Sequence, residues 1–166
     1  MKKNVGVAVL GLGWMGQAHS RSMLRIPSLF PERSIDPRLV VCADTEESRR
    51  ARAVEDFGFE RSVENWEDAV SADDVDAVWV TAPNMLHIPM IEAATAAGKA
   101  VFSEKPIGGK PEQAVRAYQV AQEMIRDRLE DQNEKAAKEL DNIQENEVIV
   151  ARGCYDFIAR VFEKLE

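Results

Sequence analysis

Three glycines stand close together in the run Gly11-Leu12-Gly13-Trp14-Met15-Gly16. Their G-x-G-x-x-G spacing suits a phosphate cradle: the first permits a tight turn, the second lets the backbone approach a pyrophosphate, and the third lets a helix pack closely on a strand. A glycine pattern alone says little, so its setting decides. It follows the apolar run NVGVAVL at 4–10 and leads into a helical stretch from Trp14. The amides of Trp14, Met15 and Gly16 and the positive end of the helix dipole would then face the phosphates of a dinucleotide. Asp44 completes the pattern. It lies 28 positions after Gly16, beyond the usual interval of about 20, and an intervening proline-rich stretch accounts for the excess. Its carboxylate suits the two hydroxyls of an adenosine ribose and repels a 2′-phosphate, which favours NAD. Thr45, Arg49 and Arg50 follow closely and could serve such a phosphate, so NADP stays open. Asp44 could also cap the helix that follows it.

Two further segments carry polar side chains suited to a ligand: Thr81-Ala82-Pro83-Asn84-Met85-Leu86-His87 and Ser103-Glu104-Lys105-Pro106. Bland readings stand beside each. His87 could be a buried, satisfied histidine, Lys105 an exposed loop lysine, and His19 a packing residue. Cys42 reads as an inert small hydrophobe within a buried strand, and Cys154 as a thiol with no base near it in sequence. Trp14, Trp66 and Trp79 read as packing residues, and Met15, Met23, Met85, Met90 and Met124 are scattered at core spacings.

The elements that must position these residues alternate. Strands are predicted at 4–10, 38–43, 75–81 and 99–103, with helices at about 14–25, 45–57 and 86–97 and a short helix near 63–70. In the first strand Val5, Val7 and Val9 face one way and Gly6, Ala8 and Leu10 the other, so it is buried on both sides. Pro27 is expected to end the first helix, and a polar loop to run through Pro31 and Pro37. Gly98 is the expected C-terminal cap of the 86–97 helix. Beyond Pro111 one long, charge-dense helix or two shorter ones are predicted over about 112–142, either solvated along one face or pairing with another chain. A fifth strand at 147–151 and an amphipathic helix at 154–165 follow. The fold class is α/β: a doubly wound, mostly parallel sheet of at least five strands with helices on both faces, in one domain over 1–166.

Composition sets outer limits. The chain has 166 residues, 45% apolar and 30% charged, with a net charge of −8. That describes a folded chain long enough to bury a core and without the basic footprint of a nucleic-acid binder. No apolar run reaches a membrane span of roughly 18 to 20 residues, and no signal peptide is evident. A cytoplasmic setting is the expectation. Two cysteines and two histidines make neither a disulfide framework nor a metal-ligand spacing, so no metal is expected.

The glycine pattern followed by His19, the Asn84-x-x-His87 step and the Glu104-Lys105-Pro106 motif come in an order that resembles the Gfo/Idh/MocA oxidoreductases. The resemblance covers about 4–121. It implies that Thr81, Pro83, Asn84 and His87 line the cofactor near its ribose and nicotinamide, and that Glu104 touches the nicotinamide ribose. It also implies that Lys105 sits beside the nicotinamide and the reacting carbon as the catalytic residue, and that Pro106 fixes the turn, often through a cis bond. Members of that family carry a second α/β domain holding the substrate pocket, for which 166 residues leave no room. Residues 122–166 match nothing in the family. The expectation is therefore a truncated or chimeric NAD(P)-binding domain, without turnover by itself and with a possible homo-oligomer through the helix at 112–144. Two alternatives stand: a sugar or polyol dehydrogenase completed by a partner, and a structural α/β fusion that no longer binds cofactor.

Overall fold

Alternation along the first strand decides the layering. In the computed structural model, which describes residues 3–130, β1 (Lys3–Leu10) sends Val7 and Val9 into one apolar cluster and Ala8 and Leu10 into another. With a side-chain period of two, a strand apolar at every position must be covered on both faces. The helices supply the cover. Met23 of α1 (Trp14–Leu29) and Ala53 and Phe57 of α2 (Glu47–Phe57) close the first cluster. Ala69 and Val70 of α3 (Trp66–Val70), Met90, Ile91 and Ala94 of α4 (His87–Ala96) and Ala117 of α5 (Pro111–Glu130) close the second.

The remaining strands are β2 (Ile35–Ala43), β3 (Arg61–Val63), β4 (Ala77–Val80) and β5 (Ala100–Ser103), and all pairs are parallel in the order β3-β2-β1-β4-β5. The chain moves outward from β1 in one direction through β2 and β3, then returns to β4 on its other side. The direction of winding therefore reverses between β1 and β4, and in open parallel sheets ligands bind at the carboxyl ends beside such a switch point. The end of β1 is Leu10 before Gly11; the end of β4 is Val80 before Thr81.

Several predicted boundaries move. Pro27 does not stop α1, which continues to Leu29; a proline in the last turn removes a single amide bond, and the Phe30 amide still reaches the Ile26 carbonyl at 2.9 Å. The predicted loop through Pro37 is strand, because β2 pairs with β1 from Ile35 onward while β3 meets β2 only at Val41–Ala43. Among the described strands Pro37 thus has no neighbour on its second side to miss its amide. In β2 an extra residue is inserted: Val7 pairs with Leu39 but Ala8 pairs with Val41. This bulge turns both Val40 and Val41 into the second cluster. β3, three residues long, stands where only a connection and a small helix were expected. The predicted strand at 147–151, the helix at 154–165, the part of the long helix beyond 130 and Cys154 lie outside the described residues.

Candidate functional site

At the end of β1 the chain turns sharply through Gly11, whose φ of +92° is open to glycine at little cost. A Cβ there would lie 2.6 Å from the backbone of Ala82, and one at Gly16 would lie 2.0 Å from the Gly11 carbonyl oxygen. These two glycines are required by backbone packed against backbone. Gly13 differs. It has φ −64° and ψ −167°, a conformation any residue adopts, and a Cβ on it would meet nothing within 4 Å. Just beyond it α1 begins with no side-chain cap and no acidic residue in its first turn. The amides of Trp14, Met15 and Gly16 are therefore a helix N-terminus beside open space, of the kind that holds anions.

Two side chains hold this loop from below. Thr81 Oγ1 lies 2.7 Å from the Gly11 carbonyl and 3.1 Å from that of Leu10. Asp44, just after β2, accepts the Leu12 amide on Oδ2 at 2.8 Å and the Glu46 amide on Oδ1 at 2.9 Å. Each carboxylate oxygen keeps acceptor capacity beyond that single bond. Asp44 acts from two residues upstream of Glu46, which occupies the N-cap of α2. Arg50 donates to the Asp44 carbonyl at 2.7 Å, and Arg49 pairs with Glu46 at 2.9 Å while standing 3.7 Å from Asp44. A cavity of about 240 Å3 opens between α1 and α2, beside this loop rather than above Gly13, lined in part by Gln17, Glu46, Arg49 and Phe57.

The other side of the switch point is built by the segments after β4 and β5. Pro83, Asn84 and Met85 are exposed there. His87 is not: it is 2% exposed, with Nε2 at 2.7 Å from the Ala82 carbonyl and Nδ1 at 2.9 Å from the Pro106 carbonyl. Glu104, 5% exposed, also turns inward, its Oε1 2.9 Å from His19 Nε2 and its Oε2 accepting the Lys105 amide at 3.1 Å. The Lys105–Pro106 bond is cis, and Lys105 itself is exposed. The glycine loop, Asp44 and the polar residues after β4 and β5 thus stand at the carboxyl ends of neighbouring parallel strands, but with different orientations. Gly13, Asn84 and Lys105 face outward; Thr81, His87 and Glu104 bond to the protein.

His19 packs, as expected from sequence, but its bond to Glu104 was not foreseen. Its ring packs against Phe102 at 5.0 Å between centroids and ties α1 to Glu104. A helix position facing the sheet three residues after the glycine pattern was the available signal. Trp14 and Met85, read as packing residues, are each 77% exposed at this edge. Trp79 does pack, stacking on Phe102 at 5.5 Å. Cys42 is buried, and burial pushes its thiol up to about 12, which removes the reactive thiolate. Among the described residues no cluster of three or more metal-ligating side chains occurs, and no helix is long and apolar enough to cross a membrane.

The model of the Gfo/Idh/MocA family, an oxidoreductase family with an NAD-binding Rossmann fold, matches residues 5–126. The chain belongs to this family. Curated Gfo/Idh/MocA relatives include levoglucosan dehydrogenase of Pseudarthrobacter phenanthrenivorans, 33% identical over 116 residues that make up 70% of this chain and 30% of the relative. Inositol 2-dehydrogenase 3 of Saccharopolyspora erythraea is 34% identical over 112 residues, 68% of this chain and 31% of the relative. Among solved structures, levoglucosan dehydrogenase in complex with NADH and levoglucosan superposes with a TM-score of 0.69 at 32% identity, over 72% of this chain and 32% of that one. The chain thus spans about a third of the length of the family members it matches.

Proposed function

We propose that this Gfo/Idh/MocA domain binds NAD across the carboxyl edge of its sheet and presents it to accept a hydride from a hydroxyl-bearing carbon of a sugar or polyol, the hydroxyl proton leaving to a base. The observation that carries the reading is Gly13. Nothing among the described residues requires glycine there, since its φ is ordinary and no described atom lies within 4 Å of its Cβ direction. A pyrophosphate approaching from outside does require it, and the uncapped start of α1 supplies amides from Trp14, Met15 and Gly16. Gly11 and Gly16 shape that turn.

Asp44 then accepts hydrogen bonds from the adenosine ribose diol while holding Leu12 in place. NAD is favoured over NADP because the arginines that could serve a 2′-phosphate are engaged, Arg50 with the Asp44 carbonyl and Arg49 with Glu46. On the far side of the switch point Pro83 and Asn84 flank the nicotinamide half. Thr81, His87 and Glu104 shape the wall behind them. Lys105, exposed on its turn, is the side chain placed to touch the substrate and to hold or move a proton at its hydroxyl oxygen through Nζ. When bound, the nicotinamide accepts or returns a hydride.

The substrate class comes from the relatives, which are named for levoglucosan and inositol. Residues 3–130 make one wall of the cleft, so by themselves they bind cofactor without turnover; the substrate pocket comes from outside them. Titration with NADH and with NADPH, followed by fluorescence of the reduced nicotinamide, tests the reading. Saturable binding with NADH the tighter ligand is expected. A flat response to both would overturn the cofactor site, and tighter NADPH would overturn the role given to Asp44.

A further inference from the structure

Three consecutive residues, Glu104, Lys105 and Pro106, form the turn after β5, and each is held by a bond to the protein. Glu104 continues the sheet, its amide donating to the Val80 carbonyl at 2.9 Å, and its carboxylate spans from His19 Nε2 to the Lys105 amide. Pro106 offers its carbonyl to His87 Nδ1 at 2.9 Å. The same ring reaches the Ala82 carbonyl with Nε2 at 2.7 Å. His87 thus bridges the segment after β4 to the segment after β5, from the first residue of α4.

Both partners of His87 are carbonyl oxygens, which only accept. A ring with a single N–H donates to one of them, and the tautomer decides which. Two carbonyls converging on the two nitrogens of one ring fix its position and, through them, the spacing of two loops. Lys105 lies between the two anchored ends of its turn, one held through Glu104 and His19, the other through Pro106 and His87. Its own side chain is exposed.

We propose that His87 is a positioning residue: by joining Ala82 to Pro106 it sets where the Lys105 turn stands relative to the nicotinamide half of the cofactor, while touching neither cofactor nor substrate. This rests on the cofactor reading above. Such bridges matter because displacements on the order of 1 Å at a binding surface are felt strongly by the ligand. The larger effect falls on the nicotinamide end. Gly11 packs against Ala82, but the glycine loop is bonded through Thr81 and Asp44 through Leu12, with no bond to His87.

The full 166-residue chain tests this, with His87→Leu and His87→Gln measured against two ligands, NADH and ADP. ADP carries the ribose diol and both phosphates but no nicotinamide half, so it reads the glycine loop and Asp44 alone. His87→Leu should weaken NADH by about tenfold, as expected for losing a buried hydrogen bond and the ring that joins the two segments, and leave ADP within about twofold. His87→Gln, which keeps an N–H donor, should recover part of the NADH affinity. Equal loss of both ligands would mean that His87 serves only the general fold, and unchanged NADH binding would mean that the bridge positions nothing; either overturns the proposal. Should His87→Leu fail to fold, the NADH-to-ADP comparison in His87→Gln decides. A wild-type chain that binds neither ligand overturns the cofactor reading itself and this inference with it. That outcome is distinct, because the other two require wild-type binding.

Discussion

A Cβ at Gly16 would lie 2.0 Å from the Gly11 carbonyl oxygen, whereas one at Gly13 would touch nothing within 4 Å. The two glycines should therefore respond to the same substitution in opposite ways. Gly16→Ala forces backbone apart in the tightest part of the loop and should lower stability by about 1–3 kcal/mol or more. Gly13→Ala should leave stability within about 0.5 kcal/mol and weaken NADH by about tenfold or more, because the added methyl occupies the space the pyrophosphate needs. Denaturant unfolding and NADH titration of both variants check this; normal NADH affinity in folded Gly13→Ala would refute the phosphate cradle. That contrast was not legible in the sequence, where all three glycines look alike. What was legible is position. Gly13, Asp44, Asn84, His87 and Lys105 do gather at one edge of the sheet, since strand ends are read from apolar runs. Orientation was hidden: the inward turn of His87 and Glu104 depends on which carbonyls and which helix happen to pack against them.

Among the elements, the longer ones were readable and the short ones were not. β1 follows from being apolar on both alternating sets and α4 from an apolar run ended by Gly98, but β3 has three residues, too few for any pattern to register. Its place is held by contacts distant in sequence. Arg61 of β3 makes a two-point pair with Asp74, in the loop before β4, at 2.6 and 2.9 Å. Bonding to Arg61, more than simple charge attraction, holds the Asp74 carboxyl below its ordinary value. A depressed folded-state value means that the pair stabilises the fold above the unfolded value of about 3.9 and that this contribution disappears as pH falls through the lower folded value. Both groups are 41% exposed, so solvent screening keeps the contribution below about 1 kcal/mol. Arg61→Ala should accordingly melt slightly below the wild type at pH 7. The gap should shrink in high salt and close as the pH is taken from about 4 toward 2. A gap that persisted unchanged in acid would show that Arg61 acts through packing of its stem rather than through its charge.

At the scale of the whole molecule, both faces of the sheet are taken: α1 and α2 cover one, and α3, α4 and α5 the other. In open parallel sheets ligands bind at the carboxyl edge, and the strand order puts the reversal of winding there, between β1 and β4. The doubly wound plan was legible because strands and helices alternate along the chain. The single crossing back to β4 was not, since strand order depends on which edges pair. One edge of one sheet holds a dinucleotide but leaves its nicotinamide open on the substrate side. Hydride transfer needs the substrate carbon held at near-attack distance, an advantage of about 7–11 kcal/mol when fully realised. Lys105 and Asn84 are exposed polar side chains at this edge, and two such groups on one wall do not enclose a substrate. A chain limited to these 166 residues should therefore bind NADH yet show no rate above background when NAD is offered with the sugars and polyols proposed above. Absorbance of reduced nicotinamide reads this directly. A clear rate that Lys105→Ala abolishes, with NADH affinity retained, would overturn the expectation; it would mean that a second copy or the residues beyond 130 close the cleft over the nicotinamide, and dependence of that rate on protein concentration would tell the two apart, since only assembly of copies responds to dilution.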